Sequence, residues 1–82
     1  MSYMIEVIYR EPRDSGREER IAAAVSPLGG MLTFVEAPSS EKASHTICLT
    51  YEFSDLQVAS NAADRLRTLG EHVEGPSEYG DD

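Results

Sequence analysis

Two histidines, one cysteine and a run of arginines are the side chains of this 82-residue chain from which chemistry could be built. His45 and His72 would serve as metal ligands or proton-transfer groups only if folding brought them beside carboxylates such as Glu52 or Glu74. Their separation fits no ligand motif, so both are read as structural or solvent-facing. Cys48 would act as a nucleophile only if nearby positive charge lowered its pKa, and its neighbours Ile47 and Leu49 supply none. A single thiol also forbids an internal disulfide and any zinc site built from several thiolates. Neither Ser15 nor Ser54 sits in a Gly-x-Ser-x-Gly elbow, and each has a helix-capping role open to it. Gly80, Asp81 and Asp82 resemble a polymerase metal-binding turn in composition alone, which is read as coincidence. No phosphate-binding glycine loop or Cys-x-x-Cys is present. No catalytic residue, metal or cofactor is therefore assigned.

Charge narrows the partners. Seven Lys plus Arg against fifteen Asp plus Glu leave a formal charge of −8. A field of that sign repels phosphate backbones and anionic lipid, which argues against nucleic-acid and membrane partners. The cations are uneven, however. Arg10, Arg13, Arg17 and Arg20 fall within eleven residues, which leaves room for a local anion site near them. The N-terminal residues Met1 to Glu6 lack the basic and apolar regions of a secretory signal, and no apolar run approaches the roughly 20 residues of a membrane span. A cytoplasmic chain is expected.

These side chains must be held by elements whose periods are visible. Residues 3–10 alternate, with Tyr3, Ile5, Val7 and Tyr9 on one face and Met4, Glu6, Ile8 and Arg10 on the other, which predicts a strand. Pro12 breaks it. Ser15 with Glu18 matches a capping box, so a helix is predicted from about Gly16. Ile21, Val25 and Leu28 give it an apolar stripe, Pro27 tightens its last turn, and Gly29 and Gly30 stop it. Met31 to Glu36 predicts a second strand, Ala37 to Ser44 a flexible loop, and 45–53 a third strand with His45, Ile47, Leu49, Tyr51 and Phe53 on one face. Ser54 and Gln57 repeat the capping signature before a helix carrying Leu56, Ala59, Ala63, Leu66 and Leu69 and ended by Gly70. Glu71 to Glu74 predicts a short fourth strand.

The order strand, helix, strand, strand, helix, strand is that of a ferredoxin-like βαββαβ two-layer α+β sandwich. The first and third strands are longest and most apolar, so they belong in the middle of an antiparallel sheet ordered 4-1-3-2. Residues 1–75 are expected to form one domain and 76–82 an acidic flexible tail. With both helices on the Tyr3, Ile5, Val7 side, Met4 and Ile8 would lie uncovered, with Met31, Val35 or their neighbours nearby. Such a patch favours association, and a symmetric homodimer is the default assembly.

The stretch Arg20, Ile21, Ala22, Ala23, Ala24, Val25, Ser26, Pro27, Leu28, Gly29, Gly30 resembles the first helix and glycine turn of ACT-type regulatory domains, which share this element order. That resemblance implies a non-enzymatic, dimerising module that binds an amino acid or similar small metabolite at its first loop. Carried over by position, Arg13, Asp14, Ser15 and Gly16 are the loop, with Gly29 and Gly30 the close-approach turn. Arg17 joins them because backbone donors at a helix start beside two arginines favour a carboxylate or phosphate. The Asp-x-Pro-Gly signature usual in that loop is missing here. Two alternatives stand beside this reading: a pure protein-interaction domain, and a small dimeric α+β barrel enzyme using His45, Tyr51 or His72.

Overall fold

The computed structural model describes residues 1–37 and 45–79 of the chain. Seven segments follow in order: β1 (Ser2–Arg10), α1 (Ser15–Val25), a 3₁₀ turn (Ser26–Leu28), β2 (Met31–Glu36), β3 (Thr46–Phe53), α2 (Leu56–Thr68) and β4 (His72–Tyr79). The fold is α+β, with one four-stranded sheet hydrogen-bonded in the order β2-β3-β1-β4 and every pairing antiparallel. Residues 38–44, most of the segment expected to be a flexible loop, and residues 80–82 lie outside the described residues.

The alternation in β1 and β3 sets which face is buried. Ile5, Val7 and Tyr9 on β1 lie opposite Tyr51, Leu49 and Ile47 on β3. All six are buried, together with Phe53, Val73 and the helix residues Ile21, Val25, Ala59, Ala62, Ala63 and Leu66. Because these residues form one cluster, both helices lie on one face of the sheet and the other face is uncovered. Three fully buried alanines on α2, Ala59, Ala62 and Ala63, let its backbone come close to the strands, and Leu66 is fully buried beside them. The outer leucines expected on that stripe, Leu56 and Leu69, are exposed instead, because they sit in the first turn of the helix and just past its last.

Both helix starts are set one residue away from where a serine box would place them. Asp14 caps α1, its Oδ1 accepting the Arg17 amide at 3.0 Å, and Asp55 caps α2 by accepting the Val58 amide at 3.1 Å. Ser15 is thereby the first helical residue and Ser54 lies outside α2. A carboxylate one residue along from each serine is charge-matched to the positive helix end, which favours it as the cap. Pro27 sits in the 3₁₀ turn, and Gly29 ends that turn in a left-handed conformation, φ 87°. Leu28 consequently leaves the α1 stripe and is exposed.

The short fourth strand expected over Glu71 to Glu74 is corrected by the pairing of β4. The strand continues to Tyr79, with Ser77, Glu78 and Tyr79 opposite Met4, Tyr3 and Ser2. Gly75 and Pro76 stand opposite Ile5 alone, so the Gly-Pro pair forms a bulge and the strand continues past it. Arg67 fastens it from α2, donating through Nη2 to the carbonyls of Val73 at 3.0 Å and Gly75 at 3.1 Å. β2 also carries an irregularity. Its register shifts between Leu32 and Phe34, which sends Phe34 to the uncovered face opposite Thr50 and Val35 to the helix side opposite Leu49. Val35 therefore packs on the core, correcting its placement on the uncovered side.

Candidate functional site

The β1–α1 loop and the first turn of α1 hold the two arginines expected to receive an anion, Arg13 and Arg17, and both are already engaged. Arg13 makes a two-pronged ion pair with Glu18, Nε to Oε2 at 2.8 Å and Nη2 to Oε1 at 2.9 Å. Arg17 does the same with Glu71, just before β4, at 2.9–3.1 Å, and its guanidinium stacks over the Tyr9 ring at 4.8 Å. Tyr9 joins the two pairs. Its hydroxyl donates to Glu18 and accepts the Asp14 amide.

The electrostatics follow from these contacts. Arg13 hydrogen-bonded to Glu18 holds that carboxyl below the usual carboxylate range, and the pairing raises Arg13 in return. Hydrogen bonding to Glu71 raises Arg17, while burial and then Glu18 raise the Tyr9 phenol. Three carboxylates, Asp14, Glu18 and Glu71, thus face two guanidiniums. The cap carboxylate of Asp14 occupies the place at the helix start where an incoming anion would sit. The local balance suits a rigid joint between β1, α1 and the entry to β4 better than an anion receptor.

The remaining expected site residues divide as follows. Ser15 is exposed, and a side chain at Gly16 would meet only ordinary contacts, to Asp14 Oδ1 at 3.6 Å and Arg20 Nη1 at 3.7 Å. Gly29 and Gly30 lie at the other end of α1, whose eleven residues span about 16 Å, so within one chain the two halves of the expected site are not brought together. Gly30 has a packing reason to be glycine: a Cβ there would lie 2.7 Å from Phe53 Cζ. Gly29 borders a cleft of about 310 Å³ with Ser2, Met31, Glu52, Phe53 and Ser54. Its one ionisable side chain is a carboxylate, which suits a neutral or cationic occupant. A second cleft of about 250 Å³ lies between Ala23, Ala24, Pro27, Leu28 and Arg65.

The residues of the barrel-enzyme alternative do not converge. Tyr51 is buried in the core, where burial raises its phenol. His45 is exposed and meets Glu11 at 3.0 Å, whereas His72 meets Glu74 at 3.4 Å on the uncovered face. Neither cleft described above is lined by any of the three. Among the described residues no group of three His, Cys, Asp or Glu side chains could hold a metal ion, and no helix is long and apolar enough to cross a membrane.

Cys48 lies on the uncovered face, its Sγ donating to Glu6 Oε2 at 3.7 Å. Burial, then the Glu6 carboxylate, pushes its thiol up to about 11. Thiol-disulfide reagents attack through the thiolate, so at pH 8 labelling of Cys48 is expected to run about 100-fold slower than an ordinary cysteine. Following release of a chromophoric thiol from a disulfide reagent checks this. Glu6→Gln should speed it, and labelling at the rate of a free cysteine would contradict the assigned environment.

Sequence reasoning identified the arginines but missed Tyr9, Glu18 and Glu71 as their partners. Glu18 was assigned to a capping box, and Glu71 lies 54 residues from Arg17, beyond any local pattern. No protein-family model matches this chain, and no curated protein matches it.

Proposed function

We propose that this chain is a non-enzymatic, self-associating interaction module of the ferredoxin-like βαββαβ class, and that its copies meet through the ridge formed by the 3₁₀ turn and β2. The element order and the strand order, which counted from the β4 edge is 4-1-3-2, support the class. The observation that carries the function is where apolar surface is left exposed. Of the seven large exposed hydrophobic residues among those described, four fall between positions 28 and 34: Leu28, Met31 at 66%, Leu32 at 45% and Phe34 at 59%. That concentration marks a contact surface, where scattered residues would not.

Charge selects the same place. Residues 21–35 contain no charged side chain, in a chain of net charge −8. Two copies repel across most of their surface, and this stretch lets them approach without opposing carboxylates. The edges differ as well. β4 carries Glu74, Glu78, a bulge at Gly75 and Pro76, devices that discourage edge pairing, whereas β2 from Met31 to Val35 carries neither charge nor proline. The metabolite-binding reading keeps one support, the cleft beside Gly29, and its Glu52 favours a neutral or cationic ligand over an anionic one.

A single short strand and its flank bury less than the roughly 800 Å² per partner of a stable interface, so a dissociation constant in the micromolar range is expected. Sedimentation equilibrium from about 1 to 500 µM should show a monomer–dimer equilibrium. Leu32→Lys with Phe34→Lys should leave only monomer, since it places four cations at the contact. A wild-type chain that stays monomeric throughout would refute self-association.

A further inference from the structure

We propose that the uncovered face of the sheet docks a basic amphipathic helix belonging to another protein. Register places the relevant side chains in a grid. Met4, Glu6 and Ile8 run down the central strand β1 on that face; Glu6 lies directly opposite Thr50 on β3 and Glu74 on β4, and Met4 lies opposite Glu52.

This arrangement is costly for the isolated chain. Like charges directly opposite each other across a strand pair destabilise it. Glu6 and Glu74 are such a pair, and among the described residues neither has a permanent cation: Glu6 accepts from the Cys48 thiol, and Glu74 meets His72. Among the described residues Glu52 has no ion-pair partner. The contrast with the α1 end is sharp, where Glu18 and Glu71 each hold an arginine in two-pronged contact. Glu6, Glu52 and Glu74 thus lie within about two strand spacings, or roughly 10 Å, with no Lys or Arg paired to them among the described residues, and Met4 and Ile8 stand on either side of Glu6 along β1.

Charge complementarity selects the occupant. A second copy would set these carboxylates against their own duplicates, and nucleic acid or anionic lipid would be repelled. Lys or Arg side chains one helical turn apart stand about 5–6 Å from each other, close to the strand spacing between Glu6 and Glu74, so one helix can answer both while its apolar residues reach Met4 and Ile8. A helix is the element that covers a bare sheet face, as α1 and α2 already do on the other side. This docking surface adjoins the β2 ridge, since Met31 and Phe34 stand opposite Glu52 and Thr50 on the same face, but it is centred on β1 and does not depend on self-association.

The test is titration of the ¹⁵N-labelled chain with a synthetic helix of about 18 residues bearing Leu on one side and Lys on its flanks, at about 0.15 M salt. The same helix with Glu in place of Lys, and free spermidine, are the comparisons. The lysine helix should shift the amides of residues 4–8 and 48–52 and bind at least about tenfold more tightly than either comparison. Glu6→Gln with Glu52→Gln should weaken it at least about tenfold, with the amide spectrum otherwise unchanged. Glu74→Gln provides a second variant should that pair perturb folding. Shifts spread over α1 and α2, equal binding by the variants, or equal binding by spermidine would overturn the proposal. So would concentration-dependent shifts of residues 4–8 in the chain alone, which would put a second copy on β1 itself, whereas self-association through β2 would shift residues 28–36 and their β3 neighbours.

Discussion

Alanine at position 75 is expected to destabilise the fold by about 2–4 kcal/mol, with a fall in melting temperature of roughly 10–25 °C for a chain of this size. Gly75 has φ +104°, and a Cβ built there lies 2.8 Å from the carbonyl oxygen of Met4 and 3.4 Å from Ile5 Cα. Both neighbours are backbone of the central strand, so no side chain can move aside. Relief would require the bulge to open, which would release the pairing of Ser77–Tyr79 with Ser2–Met4 and the Arg67 contact to the Gly75 carbonyl. Urea unfolding followed by far-ultraviolet circular dichroism measures the effect. A loss below about 1 kcal/mol would mean that the bulge adapts and that its glycine is not required.

Alanine at position 30 should cost about 1–3 kcal/mol by overpacking. Here the obstacle is a side chain: the new Cβ would lie 2.7 Å from Phe53 Cζ, 2.9 Å from Phe53 Cε2 and 3.2 Å from Val25 Cβ. Phe53 and Val25 are both buried, so neither can swing into solvent. The measurement that discriminates is a double-mutant cycle. Gly30→Ala made on a Phe53→Leu background should cost much less than on the wild type, a coupling of at least about 0.5 kcal/mol. Additive effects would remove the packing explanation and return Gly30 to a role in ligand approach. The cycle is read in the absence of any ligand, so the two explanations separate cleanly.

The arginine-rich loop shows how a site can be legible in type and illegible in state. Arg13 and Arg17 are cations near a helix start, and that much follows from position alone. Whether they are free depends on Glu18 and Glu71, and the second of these arrives from the far end of the chain. The capping serines failed for a local reason: in Asp14-Ser15 and Ser54-Asp55 two cap-competent residues are adjacent, and both helices use the carboxylate. Gly-Pro ordinarily ends a strand, so local sequence predicts a short β4, while here partners on β1 continue beyond it.

By itself the sequence determined the kinds and order of the elements, the buried side of β1 and β3, and the net charge of −8, because period and charge are read from the residues without their contacts. The tertiary structure alone decided that the arginines are neutralised within the chain, that Glu6 stands against Glu74 on a bare face, and that Phe34 rather than Val35 turns outward. Each of these depends on strand register or on contacts between distant segments, and a one-residue shift in register reverses the face on which a side chain appears.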